Sequence, residues 1–367
     1  MGAGDRRAVV WCVAVDLYVM LIDGIHIPLT VPFTRDGESY LRKLEYNVGR
    51  YSLTPAAGLV ALTAGSEGAA LSDEEIAETL RVIGAAADPT KVLVAAIAKD
   101  SVHGALVIGR QAAEAGFDAV LLGAPSQWER LTEDEVMLFF RAVADGSPLP
   151  VMLGSESGSQ GYRLSVDEIA QLALHGNVMG VYDEGLTVER YRAIAEATER
   201  VKREVLVTTV FAPVTRRMMR GRWDEGGFVS AASLVGGTAV VEAPTVKALK
   251  TRTKVVGFQV MAAGSAVGMV ELLQAGAAGA MLALSASAPQ GCYEAFAAFK
   301  DGDPALAAEK GARLVEADAA IRALGIAGVK YGCDCNGYFG GAPRLPRLPL
   351  DAEGRAVVER VLAGIRN

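Results

Sequence analysis

Short apolar runs recur along the chain from residue 24 onward, and most are followed by a stretch with helical periodicity. Each run has the length of a buried strand, and continuous apolar character is typical of parallel strands that are covered on both faces. The runs are GIHIPLT (24–30), GLVAL (58–62), VLVAAIA (92–98), DAVLLG (118–123), PVML (150–153), VMGVY (178–182), VGFQVM (256–261) and GAMLAL (279–284). This alternation of strand and helix favours an α/β fold, a (β/α)8 TIM barrel, over an open sheet.

Capping residues locate the starts of several helices. The S/T-x-x-E pattern occurs at 72–75 (SDEE), 132–135 (TEDE) and 165–168 (SVDE), each time after a predicted strand and its loop. In this pattern the hydroxyl accepts from a backbone N–H in the first turn, while the glutamate reaches back to the N-cap N–H. Asp303 followed by Pro304 predicts a further helix start, because proline is tolerated at the first helical position.

Three segments do not follow the alternation of strands and helices that the barrel requires. The sixth and seventh runs are about twice as far apart as the others, which predicts an insertion at about 205–253 in a barrel that spans 20–289. Residues 290–367 have the pattern of a C-terminal helical unit. We expect residues 1–19 to be an N-terminal extension, with Met20 as a candidate start of translation, because Asp16 interrupts the apolar run that precedes it.

Composition narrows the possible partners. The chain has 367 residues, 51% hydrophobic and 6% aromatic, so alanine and aliphatic residues must fill most of the core. A formal net charge of −7 argues against a nucleic-acid surface, and the N-terminal apolar run is too short to span a membrane. The four cysteines show neither paired spacing nor a C-x-x-C motif, which favours reduced thiols in a cytoplasmic protein.

The ends of the predicted strands carry the chemistry of a barrel enzyme, and here the sequence resembles a known family. The resemblance rests on GIHIPLTVPFTRDGE, SEGAALSDEE, AGFDAVLLGAP, GNVMGVYD and AGAAGAMLALSASAP. Together these segments resemble the dihydrodipicolinate synthase / N-acetylneuraminate lyase (DapA-like) family of (β/α)8 aldolases. The ending GVKYGCDCNGYFGGAPRLPRLPL is similar to the 4-hydroxy-2-oxoglutarate aldolase-like branch.

The resemblance implies a lysine Schiff base that this sequence does not conserve. The family lysine lies in G-[IV]-K-[DE] on the sixth strand, and GVYD places Tyr182 at its position. The proton-shuttle tyrosine of the fifth strand falls on Gly154, and the arginine of the following loop falls on Ser159. The loop that holds the substrate carboxylate falls on residues 63–67, where Ala64 and Gly65 replace polar residues.

These replacements change the chemistry that the site can perform. A phenol forms no imine and is neutral near pH 7, so Tyr182 can serve only as an acid or as a hydrogen-bond partner. Lys99, at the end of the third predicted strand, is the substitute amine that should face the same mouth. The alternative interpretation of Lys99 is a basic residue at the rim, paired with Asp100 or holding an anion.

The remaining candidates are polar residues near strand ends. Ser66, Glu67, Ser155 and Ser285 are candidate substrate-binding residues, although Glu67 is more typical of a residue that anchors its loop. Lys330 is interpreted as structural, and His26 as a core histidine that can point into the barrel. The carboxylates of Glu156, Asp183 and Glu184 lack the spacing of a metal site, and we expect neither a metal nor a cofactor.

Two hypotheses from different classes remain. In the first, the chain is a lyase-family barrel that binds a small carboxylate or 2-oxo acid and acts without the inherited Schiff base. In the second, it is a non-catalytic homologue that binds a ligand or serves as a partner subunit. The residues leave open whether the chain is an enzyme. The resemblance implies a homotetramer or dimer.

Overall fold

Parallel strands close into a barrel in the computed structural model, which describes residues 19–157, 161–223 and 249–365. The strands are β1 (Gly24–Pro28), β2 (Gly58–Ala61), β3 (Val92–Ile97), β4 (Ala119–Leu122), β5 (Val151–Ser155), β6 (Val178–Glu184), β7 (Arg203–Thr208), β8 (Thr251–Val256), β9 (Gln259–Gly264) and β10 (Gly279–Leu282). The barrel order is β1-β10-β9-β6-β5-β4-β3-β2, with all neighbours parallel. Strands β7 and β8 form a separate antiparallel pair.

Helices surround the barrel and extend beyond it at the C-terminal side. They are α1 (Leu41–Ser52), α2 (Asp73–Ala86), α3 (Val102–Glu114), α4 (Glu133–Gly146), α5 (Val166–Ala173), α6 (Val188–Ala197), α7 (Arg216–Trp223), α8 (Met269–Ala275), α9 (Pro289–Lys300), α10 (Pro304–Ala323), α11 (Gly325–Cys335) and α12 (Ala352–Leu362). The predicted TIM barrel with a C-terminal helical region is confirmed. An N-terminal extension was predicted for residues 1–19, and residues 1–18 lie outside the described part of the chain.

The predicted helix starts are confirmed in atomic detail. Ser72, Thr132 and Ser165 each form a complete capping box with the glutamate three residues later. Asp303 caps α10 by accepting a hydrogen bond from the backbone N–H of Leu306, with Pro304 in the first turn. These local bonds satisfy N–H groups that a helix start leaves unpaired, and each follows from only a few neighbouring residues.

Side chains that alternate along the strands fill two separate apolar regions. One set packs outward against the helices and includes Ile25 and Ile27 of β1 and Leu29 just after it. The other lies inside the barrel and includes Val94, Met152 and Tyr182. The two regions follow from the period of two in a strand, because successive residues point to opposite faces of the sheet.

The β7–β8 hairpin covers the N-terminal end of the barrel. Val205 and Val207 of β7 are buried in the cluster that also contains residues 19–22 and the barrel interior. Just beyond β7, the backbone N–H of Arg216 donates to Asp118 Oδ1 at 2.6 Å, and Asp118 immediately precedes β4. Because the N-terminal ends of the strands meet there, the hairpin closes the end opposite to the one where barrel enzymes bind substrates.

Among the described residues, no helix combines the length and the apolar character that a membrane crossing requires.

Candidate functional site

A cavity of about 690 Å³ opens at the C-terminal ends of the barrel strands. Most of its wall consists of residues at or just beyond strand ends, and the rest comes from α10 and α11. The wall is mainly apolar, with Thr63, Ser155, Glu156, Tyr182, Glu184 and Arg322 as its polar side chains among the described residues. This size lies within the range of small-molecule sites, and the position is the one where barrel enzymes act.

The alternation of β6 decides which of its terminal residues face the cavity. Tyr182 and Glu184 line the cavity, whereas Asp183 between them points the other way. Asp183 is fully buried and accepts three hydrogen bonds from the guanidinium of Arg190 on α6, at 2.6 to 3.1 Å. Asp183 therefore forms an ion pair that fixes α6 against the strand, and of the two β6 carboxylates only Glu184 lines the cavity.

Tyr182 lies across the barrel interior and forms part of the cavity floor. Its side chain is 2% exposed, and its Oη is 2.7 Å from Nδ1 of His26 on β1. The two rings meet edge to face with centroids 6.0 Å apart. A lysine at this position would project a flexible amine, but the tyrosine is a rigid group held by a partner on another strand.

His26 is enclosed completely, and the neighbouring strand makes room for it. It is 0% exposed, and burial lowers its pKa to about 4, an effect that a backbone hydrogen bond with Asp23 partly offsets. A Cβ atom at Gly58 would lie 2.8 Å from the imidazole Cε1, so only glycine fits beside the ring. Burial also raises the pKa of the Tyr182 phenol well above its ordinary value. Both members of the pair are therefore neutral near pH 7.

The rim of the cavity carries charges of both signs. Glu156 follows β5, Glu184 ends β6, and Arg322 reaches the cavity from α10. Burial, followed by the nearby charge of Glu156, raises the pKa of Glu184. Arg322 also contacts the buried Asp318 on its own helix, with Nε 3.4 Å from Oδ2. Two carboxyl groups and one guanidinium thus surround the polar end of the cavity.

Of the three serines expected to bind substrate, the structure places only Ser155 in the cavity wall. Its Oγ accepts a hydrogen bond from Arg190 Nη2 at 3.3 Å. Ser66 is buried and its Oγ donates to the carbonyl oxygen of Thr63 at 2.9 Å. Ser285 is also buried, and its Oγ contacts the carbonyl oxygens of Leu282 and His26. Ser66 and Ser285 therefore satisfy backbone groups, and neither lines the cavity.

Glu67 anchors its loop from behind the cavity. It adopts a left-handed backbone conformation with φ of 61°. Its Oε2 is 2.5 Å from Nζ of Lys330 on α11, and both side chains are fully buried. Its Oε1 accepts from the backbone N–H of Arg344 at 2.9 Å. Glu67 and Lys330 thus form a structural ion pair that ties the loop after β2 to the C-terminal helices.

The expectation that Lys99 shares the mouth with Tyr182 requires a correction. Strand β3 ends at Ile97, and the cavity wall includes Ala96, Ile97 and Ala98 but not Lys99. Its Nζ lies 2.6 Å from Oδ1 of Asp73 at the start of α2, not beside Asp100. No lysine belongs to the cavity wall among the residues that the structure describes.

Sequence reasoning missed two residues of this site as participants. The inward orientation of His26 has a signal in the sequence, since His26 and Pro28 alternate with the apolar Ile25 and Ile27 on β1. Arg322 carries no such signal, because it reaches the cavity from a helix far along the chain. Ser159, which aligns with the family arginine, lies outside the described residues.

Known proteins resemble the chain in sequence over about half of its length. A probable mitochondrial 4-hydroxy-2-oxoglutarate aldolase of Emericella nidulans is 30% identical over 187 residues, 48% of this chain and 60% of that protein. A 4-hydroxy-tetrahydrodipicolinate synthase of Methanothrix thermoacetophila is 29% identical over 175 residues, again 48% of this chain and 58% of the relative. The chain therefore matches less than two thirds of the length of these relatives.

Solved structures share the fold over most of the chain. A putative dihydrodipicolinate synthetase from Pseudomonas aeruginosa superposes with a TM-score of 0.73 at 22% identity, covering 94% of this chain and 100% of that one. YagE, a prophage protein of the dihydrodipicolinic acid synthase family from E. coli K12 solved in complex with pyruvate, has a TM-score of 0.73 at 20% identity, covering 94% and 99%. The sequence profile of the dihydrodipicolinate synthetase family matches residues 21–209, just over half of the chain. The chain belongs to the dihydrodipicolinate synthetase family.

Proposed function

We propose that this chain is a divergent member of its family that binds a small 2-oxo-acid-like or carboxylate ligand in the barrel mouth without forming a Schiff base. The observation that carries the proposal is the composition of the cavity wall. A cavity of about 690 Å³ persists at the strand ends, and Tyr182 forms its floor where the family resemblance places a lysine. No lysine lines the cavity among the described residues.

Imine chemistry requires an amine that can reach a bound carbonyl group. Lys99 is held by Asp73 outside the cavity, and Lys330 is buried against Glu67. Either amine would have to leave an ion pair and change its orientation before attacking a ligand. The structure therefore favours loss of the inherited mechanism over its transfer to another lysine.

The polar groups of the cavity suit a ligand with oxygen acceptors at both ends. Tyr182 lies at the floor and Thr63 in the wall, whereas Arg322 lies at the rim. A guanidinium is the side chain best suited to hold a carboxylate by paired hydrogen bonds. We place the carboxylate of the ligand at Arg322 and its carbonyl group nearer the floor.

Borohydride trapping tests the loss of the Schiff base. The protein is incubated with pyruvate and sodium borohydride, and its mass is then measured and the peptides mapped. We expect no adduct, because no lysine lines the cavity in the part of the chain that the structure describes. A reduced adduct on Lys99, or on any other lysine, would refute this part of the proposal.

A thermal-shift titration with pyruvate and 2-oxoglutarate tests ligand binding. We expect the melting temperature to rise with ligand concentration, since a ligand that binds only the folded state stabilises it. Arg322→Ala should reduce the shift, whereas Arg313→Ala is a matched control on α10, because Arg313 pairs with Glu309 on the surface. Absence of any shift with both acids would sink the binding proposal.

A turnover assay distinguishes a non-catalytic binding protein from an enzyme. The non-catalytic alternative is favoured by Gly154, which lines the cavity and pairs with Tyr182 in the β5–β6 register. A glycine offers no side chain for proton transfer. A protein that binds 2-oxo acids but releases no pyruvate from 4-hydroxy-2-oxoglutarate would be a binding or partner subunit. Measurable pyruvate release, together with the absence of a trapped adduct, would establish catalysis without an imine.

A further inference from the structure

The cavity wall is divided into a polar side and an apolar side. The polar side is formed by the ends of β5 and β6 together with α10, which contribute Ser155, Glu156, Glu184 and Arg322. Strands β5 and β6 are paired, and Arg322 is close enough to Glu184 to interact with its charge. Every charged side chain of the wall among the described residues belongs to this side.

The apolar side is formed by the ends of β2, β3 and β4 together with α11. Its side chains include Leu62, Ala96, Ala98, Leu121, Ile326 and Val329. The buried ion pair of Glu67 with Lys330 joins α11 to the loop after β2, so the helix completes this side of the wall. Within the part of the chain that the structure describes, Thr63 is the one polar side chain here.

The cavity is larger than the head group of a 2-oxo acid requires. A water molecule takes up about 30 Å³ in the liquid, so a cavity of about 690 Å³ has room for roughly twenty waters. The carboxylate and carbonyl group of a ligand contain only a few non-hydrogen atoms. Most of the cavity is left over, and an apolar group displaces water from an apolar wall favourably.

The charges of the wall limit how many carboxylates a ligand can carry. Arg322 is the one basic side chain of the wall among the described residues, and the other charged groups, Glu156 and Glu184, are acidic. A second carboxylate on the ligand would meet these acidic groups on the polar side. On the apolar side it would lose its hydration without gaining a partner.

We propose that the cavity selects a 2-oxo acid with one carboxylate and an extended apolar chain, in preference to pyruvate and to 2-oxo acids with a second carboxylate. The 2-oxo acid group lies between Arg322 and the floor, and the apolar chain lies along the ends of β2, β3 and β4. This inference deepens the proposed function and rests on it for the head group of the ligand. It departs from the family resemblance, because 4-hydroxy-2-oxoglutarate has two carboxylates.

Two acids of equal chain length test the selection on the natural chain. At the end far from the 2-oxo group, 2-oxopentanoate has a methyl group where 2-oxoglutarate has a carboxylate. We expect calorimetric titration to show that 2-oxopentanoate binds at least about 10-fold more tightly, because its methyl group needs no partner on the apolar side. Equal affinities, or tighter binding of 2-oxoglutarate, would overturn the inference.

A series of straight-chain acids measures the apolar contact. The ligands are pyruvate, 2-oxobutanoate, 2-oxopentanoate and 2-oxohexanoate. Each added methylene should tighten binding by about 2 to 4-fold, since its burial removes apolar surface from water. The heat-capacity change of binding should become more negative along the series for the same reason. An affinity that stays constant from pyruvate to 2-oxohexanoate contradicts the inference.

Ala98→Leu tests where the chain of the ligand lies. Ala98 is an exposed residue of the cavity wall, so a leucine there projects into the space of the apolar side. We expect binding of 2-oxohexanoate to weaken about 10-fold and binding of pyruvate to stay within about 2-fold. Ala308→Leu is the matched control, because Ala308 is exposed on α10 outside the wall, and it should change neither affinity. Equal weakening of both acids in Ala98→Leu would refute this placement of the chain.

A ketone without the acid group separates this inference from the proposed function. Hexan-2-one has a methyl group in place of the carboxylate of 2-oxohexanoate, and we expect it to bind at least about 10-fold more weakly. If it binds as tightly, the carboxylate assignment of the proposed function fails and the apolar selection stands. If pyruvate and 2-oxohexanoate bind equally well, the proposed function stands and this inference fails. Absence of binding by every ligand overturns both.

Discussion

At the scale of single residues, the floor of the cavity is polar but uncharged. A buried lysine would need a compensating anion, because an unpaired charge in a barrel interior is very unfavourable. Tyr182 and His26 instead satisfy each other with a hydrogen bond of 2.7 Å between two neutral groups. The pair places a hydrogen-bonding group at the strand end that carries neither an amine nor a charge near pH 7.

The pair makes the stability of the protein depend on pH in a defined direction. Unfolded, His26 has a pKa near 6.5, and in the folded protein burial lowers it to about 4. As the pH falls below 6.5, the unfolded chain takes up a proton that the folded chain does not, so the free energy of unfolding decreases until the pH reaches about 4. The loss amounts to about 3 kcal/mol when complete, since each pKa unit corresponds to about 1.4 kcal/mol.

His26→Asn isolates this effect from that of the carboxylates. Urea unfolding of both proteins at about pH 7 and about pH 4.5 gives the difference in free energy between the natural chain and the variant. We expect this difference to move by about 2 to 3 kcal/mol against the natural chain at the lower pH. Glu184 and the other acids titrate in both proteins and cancel. A difference that does not change with pH would contradict the depressed pKa of His26.

The sequence predicts which residues face the cavity only where the alternation of a strand and the position of its end are known. Tyr182 was assigned to the cavity because the motif around it fixes its register, and the structure places it there. Lys99 was expected in the mouth, but it lies beyond the end of β3 at Ile97, where its amine pairs with Asp73, a residue that local sequence does not signal. The position of His26 follows from the alternation in β1, but its partner on β6 depends on how the barrel closes.

At the scale of elements, a buried ion pair ties the C-terminal helices to the barrel mouth. Lys330 of α11 contacts Glu67, its Nζ lies 4.3 Å from the ring centroid of Phe33, and it donates to the carbonyl oxygen of Ala342. Burial is the main cause that lowers the pKa of Lys330, and the hydrogen bond to Glu67 opposes this effect. The pair holds the loop that contributes Thr63 and Gly65 to the cavity wall.

Removing one partner of this pair should be costly. Lys330→Met leaves the buried Glu67 carboxylate with only the exposed guanidinium of Arg347, 3.8 Å away, and we expect the free energy of unfolding to fall by about 3 to 5 kcal/mol. Lys310→Met is the matched control, because Lys310 pairs with Glu294 at the surface, and it should cost at most about 1 kcal/mol. Chemical denaturation measures both. Equal losses would show that the buried pair contributes no more than the surface one.

Local signals made some elements predictable, and distant contacts made others unpredictable. The three capping boxes and the Asp303 cap were read from four-residue patterns, because a helix start depends on its immediate neighbours. The Glu67–Lys330 pair joins residues far apart in sequence, and nothing near either residue signals the other. Glu67 was favoured as a loop anchor, but its partner emerged only from the fold.

At the scale of the whole molecule, the two ends of the barrel differ. The C-terminal end opens into the cavity, whereas the β7–β8 hairpin and residues 19–22 close the N-terminal end. Gln259 supports this closure by accepting from the N–H of Ile22 and donating to the carbonyl oxygen of Met20. The doubled spacing before the seventh predicted strand predicts an insertion, but spacing alone does not tell which end of the barrel an insertion covers.

The closure at the N-terminal end should contribute stability without affecting ligand binding. Val207 of β7 is 0% exposed, so Val207→Ala leaves a void, and we expect a loss of about 2 kcal/mol in the free energy of unfolding. Val255→Ala on the paired strand is the matched control, since Val255 is 59% exposed and should change stability by less than about 0.5 kcal/mol. Both variants should bind pyruvate as the natural chain does, because the hairpin and the cavity lie at opposite ends. Weaker pyruvate binding in Val207→Ala alone would show instead that packing in the barrel interior connects the two ends.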